Sequence, residues 1–201
     1  MISVGLTGSI ATGKSEVAKL FSAADVPVFD SDAEVHGLYA EKTTRDLLGK
    51  VFPDVIVDGG IDRQRLGQRV LGSPDDLRKL ESLIHPLVRK RRERFIAHWR
   101  KHGSPLVILD IPLLFETGQE KEVDYVIVVS ANEDVQRKRV MTRPGMTEQK
   151  LASILARQIP DVEKRNRADF VIENSGSLEH LRTQVAALSS KLAELARNHK
   201  P

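Results

Sequence analysis

The chain has 201 residues, 40% of them hydrophobic and 29% charged, enough to bury a sizeable core and too apolar for a disordered polar tail. It has no cysteine, which excludes disulfides and thiolate metal sites, and no apolar run long enough to span a bilayer. A net charge of +3 is too mild to argue for nucleic acid, so the expectation is a cytoplasmic protein without nucleic-acid or membrane partners, a monomer or weak homo-oligomer.

Ile2 to Leu6 is a short apolar run suited to a buried strand. Directly behind it, Gly8-Ser9-Ile10-Ala11-Thr12-Gly13-Lys14-Ser15 matches G-x-x-x-x-G-K-[ST], and Ser15 to Phe21 opens a helical pattern. Strand, glycine-bounded loop and helix together make a phosphate-binding loop. The glycines let consecutive N–H groups point inward, and the helix N-terminus adds partial positive charge. Lys14 is then expected to reach the β- and γ-phosphates and the Ser15 hydroxyl to face Mg²⁺. Val26 to Asp30 reads as a second strand, ending in Asp30-Ser31-Asp32 at the edge where open α/β sheets hold ligands. One carboxylate can serve as general base toward a hydroxyl and the other can hold a Mg²⁺-bound water. The competing reading is that Ser31 or Asp32 caps the next helix.

Residues 34–103 break the alternation. Short helical stretches are separated by Asp58-Gly59-Gly60, Gly72-Ser73-Pro74 and His85-Pro86, with no convincing strand, which predicts a helical insertion and a place for a substrate pocket. The run Arg89-Lys90-Arg91-Arg92-Glu93-Arg94 lies on a helix whose apolar stripe is Leu83, Leu87, Phe95 and Trp99, so it reads as a charged outer face. His85-Pro86 suits a helix start with a packing or substrate-positioning role.

Leu106 to Asp110 is an apolar strand ending in a carboxylate, the Walker-B arrangement, from which Asp110 reaches Mg²⁺. Strands over 123–129 and 169–173 and helices over about 133–143, 147–158 and 177–198 complete an alternating pattern. The fold class is therefore α/β: a P-loop NTPase or kinase fold with a five-stranded parallel sheet flanked by helices, a helical insertion and a lid. The expected division is a single domain, with core 1–33 and 104–201, insertion about 34–103 and lid about 139–167. Arg137, Arg139 and Arg143 precede the turn Pro144-Gly145-Met146-Thr147, and Arg157 and Arg165 follow it. Such a cluster fits a basic lid over transferring phosphate. Arg139 and Arg143, four apart, are expected on one helix face, whereas Arg137 and Arg157 read more simply as solvated.

With these residues assembled, the chain resembles the dephospho-coenzyme A kinase family over nearly its whole length. The resemblance is carried by Gly5-Leu6-Thr7-Gly8 with Gly13-Lys14-Ser15, Val28-Phe29-Asp30-Ser31-Asp32, Ile61-Asp62-Arg63 with Leu66, and His85-Pro86. It continues through Ile111-Pro112-Leu113-Leu114-Phe115-Glu116, Arg139, Arg143, Gln158 and Ala168 to Asn174. The resemblance implies ATP-dependent phosphorylation of the ribose 3′-hydroxyl of dephospho-CoA, the last step of coenzyme A synthesis, with Mg²⁺. It implies Asp32 as base, with Lys14 and Arg139 as the other catalytic residues. It further implies ATP contacts from Gly8, Ala11, Thr12, Gly13, Lys14, Ser15, Glu16, Arg143 and Asn174. Substrate contacts would come from Asp30, Asp32, Arg63, His85 and Leu113, and metal contacts from Ser15 and Asp110. Two positions depart from the family's habit: Ser31 stands where Ala is common and Glu16 where Thr is common.

Two other readings share parts of this pattern. Another small-molecule P-loop kinase, such as a nucleoside monophosphate kinase, would have the same loop and lid. A regulatory NTPase or nucleic-acid module would have the loop and the basic run. The chain has no Asn-Lys-x-Asp guanine motif, and a second carboxylate site with an arginine lid favours transfer over signalling.

Overall fold

The computed structural model describes residues 1–198. The chain forms two compact units, one of residues 1–29 with 96–201 and one of residues 30–95.

The first unit is built on a sheet whose strands are β1 (Ile2–Gly8), β2 (Val28–Asp30), β5 (Leu106–Asp110), β6 (Tyr125–Ser130) and β7 (Phe170–Glu173), in the order β2-β5-β1-β6-β7. β1 lies in the middle, parallel to β5 on one side and β6 on the other, with Leu6 opposite Asp110 and Gly8 opposite Val129. Being covered on both faces, β5 reads as a continuous apolar run and every one of its residues is buried, whereas β1 alternates Ile2, Val4 and Leu6 with Ser3, Gly5 and Thr7 although all but Ser3 are buried. One face is closed by α1 (Lys14–Ala23) and α9 (Leu178–Asn198). Val17, Phe21, Leu181, Val185 and Leu192 pack there on Ile2, Val4, Ile108, Ile127 and Ile172. The α9 residues recur at helical spacing, which fixes which stripe of the helix meets the sheet. The chain leaves β1 toward β2 on one flank and later reaches β6 and β7 on the other. The order therefore reverses at β1, and the crevice outside its carboxyl end is where such sheets bind ligands.

The remaining helices of this unit are α6 (Glu133–Met141), α7 (Glu148–Leu155) and α8 (Asp161–Arg167). α6 stops two residues before the expected end. Pro144 disfavours helical backbone at Arg143, and Gly145 takes a φ of 70°, so Arg143 lies beyond the helix rather than on one face with Arg139.

The second unit contains α2 (Ser31–Ala40), α3 (Lys42–Val51), α4 (Arg63–Gly72) and most of α5 (Pro74–Lys101). Its own core is Leu38, Leu48, Phe52, Val55, Leu66 and Ile84. Two expectations change here. A small antiparallel hairpin, β3 (Ile56–Val57) with β4 (Gly60–Ile61), stands where no strand is expected. Its turn is Asp58-Gly59 with φ of 49° and 73°, the left-handed pair that joins two-residue hairpins. And α5 runs for 28 residues straight through His85-Pro86. Pro86 withholds one donor from the ladder, but Ile84, Leu80, Leu83, Leu87 and Val88 hold both sides of it on the same core. The basic run is not simply solvated either. Arg91 pairs with Glu34 at 2.6 Å and Glu41 at 2.5 Å, and Arg92 is buried. Among the described residues no helix is long and apolar enough to cross a membrane.

Candidate active site around the phosphate loop

β1 delivers the chain into the loop at Gly8, where a Cβ would stand 2.5 Å from the Val129 carbonyl oxygen and 2.8 Å from Thr12 Oγ1. Only glycine lets β1 stay in register with β6 while the loop folds back. At the other end Gly13 has a φ of 98°, and a Cβ there would come within 2.0 Å of Asn174 Nδ2. α1 then starts at Lys14 with Gly13 as N-cap and no side-chain capping bond. The Glu16 N–H donates to the Gly13 carbonyl at 3.0 Å, and the Lys14 and Ser15 N–H groups come before the helical ladder, so this end can receive an anion from outside.

The loop's outward groups are held by side chains from distant parts of the same unit. Thr12 Oγ1 donates to Ser9 O at 2.9 Å, and the Thr12 carbonyl accepts from Asn174 Nδ2 at 2.8 Å and Arg139 Nη1 at 3.3 Å. Ile10 is held twice: its N–H donates to Gln158 Oε1 at 3.1 Å, and its carbonyl accepts from Gln136 Nε2 at 2.6 Å. Ala11 between them takes a φ of 60°.

Lys14 Nζ forms a direct ion pair with Asp110 Oδ1, and the Asp110 side chain is only 4% exposed. Register puts Asp110 beside Leu6, so the carboxylate that closes β5 and the lysine that opens α1 converge outside the sheet's carboxyl edge. Ser15 is exposed on the first turn of α1, and Glu16 is half-buried beside it. A hydroxyl and a carboxylate are hard oxygen donors of the kind Mg²⁺ prefers.

The segment after β5 is tied down as well. Thr7 Oγ1 donates to the Pro112 carbonyl at 3.0 Å, and Leu113 is 41% exposed. Glu116 Oε1 accepts from the Ile159 N–H at 2.9 Å and pairs with the fully buried Lys164 at 2.8 Å. That ion pair fastens the start of α8, and removing one partner would leave a buried charge at a cost of about 3–5 kcal/mol. Neither Glu116 nor Lys164 stands out by sequence as a pair, because their meeting is purely tertiary.

The arginines expected of a lid fall into different environments. Arg139 reaches the loop itself. Arg137 pairs with Glu148 on the surface at 2.8 Å, as its solvated reading expects, and Arg143 and Arg157 are exposed. Arg165 is engaged by Ser130 and Glu173.

The remaining expected site residues belong to the second unit. Asp30, not Ser31 or Asp32, caps α2, its carboxylate accepting from the Ala33 N–H at 3.0 Å. That corrects the capping alternative: the cap is supplied one or two residues earlier, and the exposed Asp32 carboxylate is left for other work. Arg63 is exposed at the start of α4, whose cap is Asp62. Burial pushes the Tyr39 phenol above its usual range, and the Arg63 guanidinium acts against that rise. His85 is exposed in mid-helix on α5, not at a helix start.

The chain is similar to known proteins over nearly its whole length. The dephospho-CoA kinase family model matches residues 2–180. A dephospho-CoA kinase of Mesorhizobium japonicum is 53% identical over 192 residues, covering 96% of this chain and 97% of that protein. A solved structure from Thermus thermophilus superposes with a TM-score of 0.82 at 37% identity, covering 95% of this chain and 97% of the other. The dephospho-CoA kinase of Campylobacter jejuni superposes with a TM-score of 0.74 at 25% identity, with 96% and 97% covered.

Proposed function

The chain belongs to the dephospho-CoA kinase family and is a kinase of the last step of coenzyme A biosynthesis. From that premise we propose how its residues divide the transfer of the γ-phosphoryl of ATP to the ribose 3′-hydroxyl of dephospho-CoA. The observation that carries the assignment is the pairing of Lys14 with Asp110 at the mouth of a phosphate loop whose glycines admit no side chain.

The N–H groups of Ala11, Gly13, Lys14 and Ser15 bind the β- and γ-phosphates, and Lys14 moves from Asp110 onto them, neutralising charge that grows in the transition state. Ser15 and Asp110 would hold Mg²⁺, which would offset the charge of the phosphates. Asp32 orients the acceptor hydroxyl and takes its proton, while Asp30 keeps α2 started at the right residue. Arg139 leaves the Thr12 carbonyl to meet the transferring group, and Arg143, Glu16 and Asn174 line the nucleotide side. Arg63, His85 and Leu113 contact dephospho-CoA. A cytoplasmic location belongs to the same proposal.

A coupled assay offering ATP with dephospho-CoA, AMP, CMP or no acceptor tests the reading. Turnover is expected with dephospho-CoA alone. Equal turnover with a nucleoside monophosphate would point to the other kinase class, and turnover without acceptor to an NTPase. In the same assay Lys14→Met is expected to lose about 10²–10³ in kcat, the usual cost of one preorganised electrostatic contact. The melting temperature should fall as well, since the variant takes the lysine away from the buried Asp110 carboxylate. A folded Lys14→Met enzyme with parental turnover would remove the loop from the mechanism.

A further inference from the structure

We propose that Gln136, together with Gln158, is a positioning residue of the phosphate loop: the two side-chain amides hold the peptide groups on either side of Ile10 so that the Ala11 N–H is aimed at the phosphates. The inference rests on the nucleotide reading given above and adds to it the device that sets the loop's donor directions.

Among the described residues every peptide bond is trans. In a trans peptide the carbonyl of one residue and the N–H of the next point to opposite sides of the chain. Fixing a carbonyl outward therefore fixes the following N–H inward. The Ile10 carbonyl is fixed by Gln136 Nε2 at 2.6 Å, which directs the N–H of Ala11. The Thr12 carbonyl is fixed by Asn174 and Arg139, which directs the N–H of Gly13 in the same way. Gln158 Oε1 takes the N–H of Ile10 itself and so locks the peptide plane before it. Ala11 sits in the left-handed region, where a residue with a Cβ relaxes unless its neighbours over-determine it. The two amides supply that constraint. Ile10 and Ala11 also pack with Val140, Leu151 and Met146, so the loop's outer side is fixed by packing and by polarity at once.

The chemistry of the two amides is opposite. Gln136 must donate and Gln158 must accept. A glutamate can still accept at 158 but can only oppose a carbonyl at 136, although either variant adds the same charge beside the same loop residue. That contrast separates hydrogen-bond polarity from charge.

The experiment is titration of ADP and ATP into purified parent, Gln136→Met, Gln136→Glu and Gln158→Glu, with the KM for dephospho-CoA and the melting temperature measured alongside. Gln136→Met is expected to weaken ADP binding about threefold to tenfold, the value of one net hydrogen bond, with the KM for dephospho-CoA unchanged. Gln136→Glu should bind ADP about tenfold more weakly than Gln158→Glu. In the parent the Ala11 amide resonance should shift on ADP addition, a readout that needs no variant to fold. Parental ADP affinity in Gln136→Met, equal affinities in the two glutamate variants, or an Ala11 amide unmoved by ADP would each overturn the proposal. A parent that binds no ADP would instead overturn the nucleotide reading on which it rests.

Discussion

Arg139→Ala is expected to lose about 10³–10⁵ in kcat, the range that an arginine contributes when it meets the transferring phosphoryl group. The side chain lies 3.3 Å from the Thr12 carbonyl, so it already stands at the loop proposed to hold the phosphates. A guanidinium binds phosphate oxygens in a fork that an alanine cannot replace and a lysine only partly imitates. Because the charge it meets is greatest in the transition state, kcat should fall much further than ATP affinity. Asn174 still holds the Thr12 carbonyl at 2.8 Å in the variant, which keeps the loop in shape and the melting temperature near the parent's. Arg143→Ala should be milder, since α6 has ended before Arg143 and its side chain is exposed. Single-turnover transfer to dephospho-CoA measures both. Parental rates in Arg139→Ala would return that residue to a loop-holding role alone.

Asp32→Asn is expected to lose about 10²–10⁴ in kcat while keeping fold and ATP affinity, the usual range for a positioned general base. An amide has nearly the carboxylate's shape and can still accept a hydrogen bond from the acceptor hydroxyl, but it is a very poor base. Stability should not change, because the cap of α2 is Asp30 and not Asp32. Asp30→Asn separates the two carboxylates. Asparagine is as good an N-cap as aspartate, so any rate loss there that is relieved by raising Mg²⁺ would assign Asp30 to a metal-bound water. Transfer in a single turnover, measured across Mg²⁺ concentrations for both variants, decides the matter. A parental rate in Asp32→Asn would show that the proton leaves without it.

Much of this was legible in the order of residues because its causes are local. Gly8 and Gly13 mark backbone positions that no other residue can occupy, so their spacing ahead of Lys14 identifies the loop without a structure. The continuous apolar runs of β5 and β6 follow from burial on both faces, and the alternation of such runs with helical patterns already implies parallel strands. Asp110 could be placed at a strand end by the same pattern. Family resemblance added the acceptor, which no periodicity could supply.

Other features were decided only when distant parts of the chain met. Pro86 lies inside α5 because Ile84 and its neighbours hold the helix on the core of the second unit, a packing gain that outweighs one missing donor. The hairpin at 56–61 is too short to carry a period, though its Asp58-Gly59 turn was there to be read. Which of three adjacent residues caps α2 depends on where the strand before it stops. Lys164 is buried because Glu116 waits for it, and neither residue announces the other. The grip on Ile10 comes from glutamines 126 and 148 residues away in sequence. Those bonds end on the main chain, so they ask nothing of the partner's side chain and leave no motif. Local backbone geometry writes itself into sequence, whereas contacts made by the folded surface with its own backbone do not.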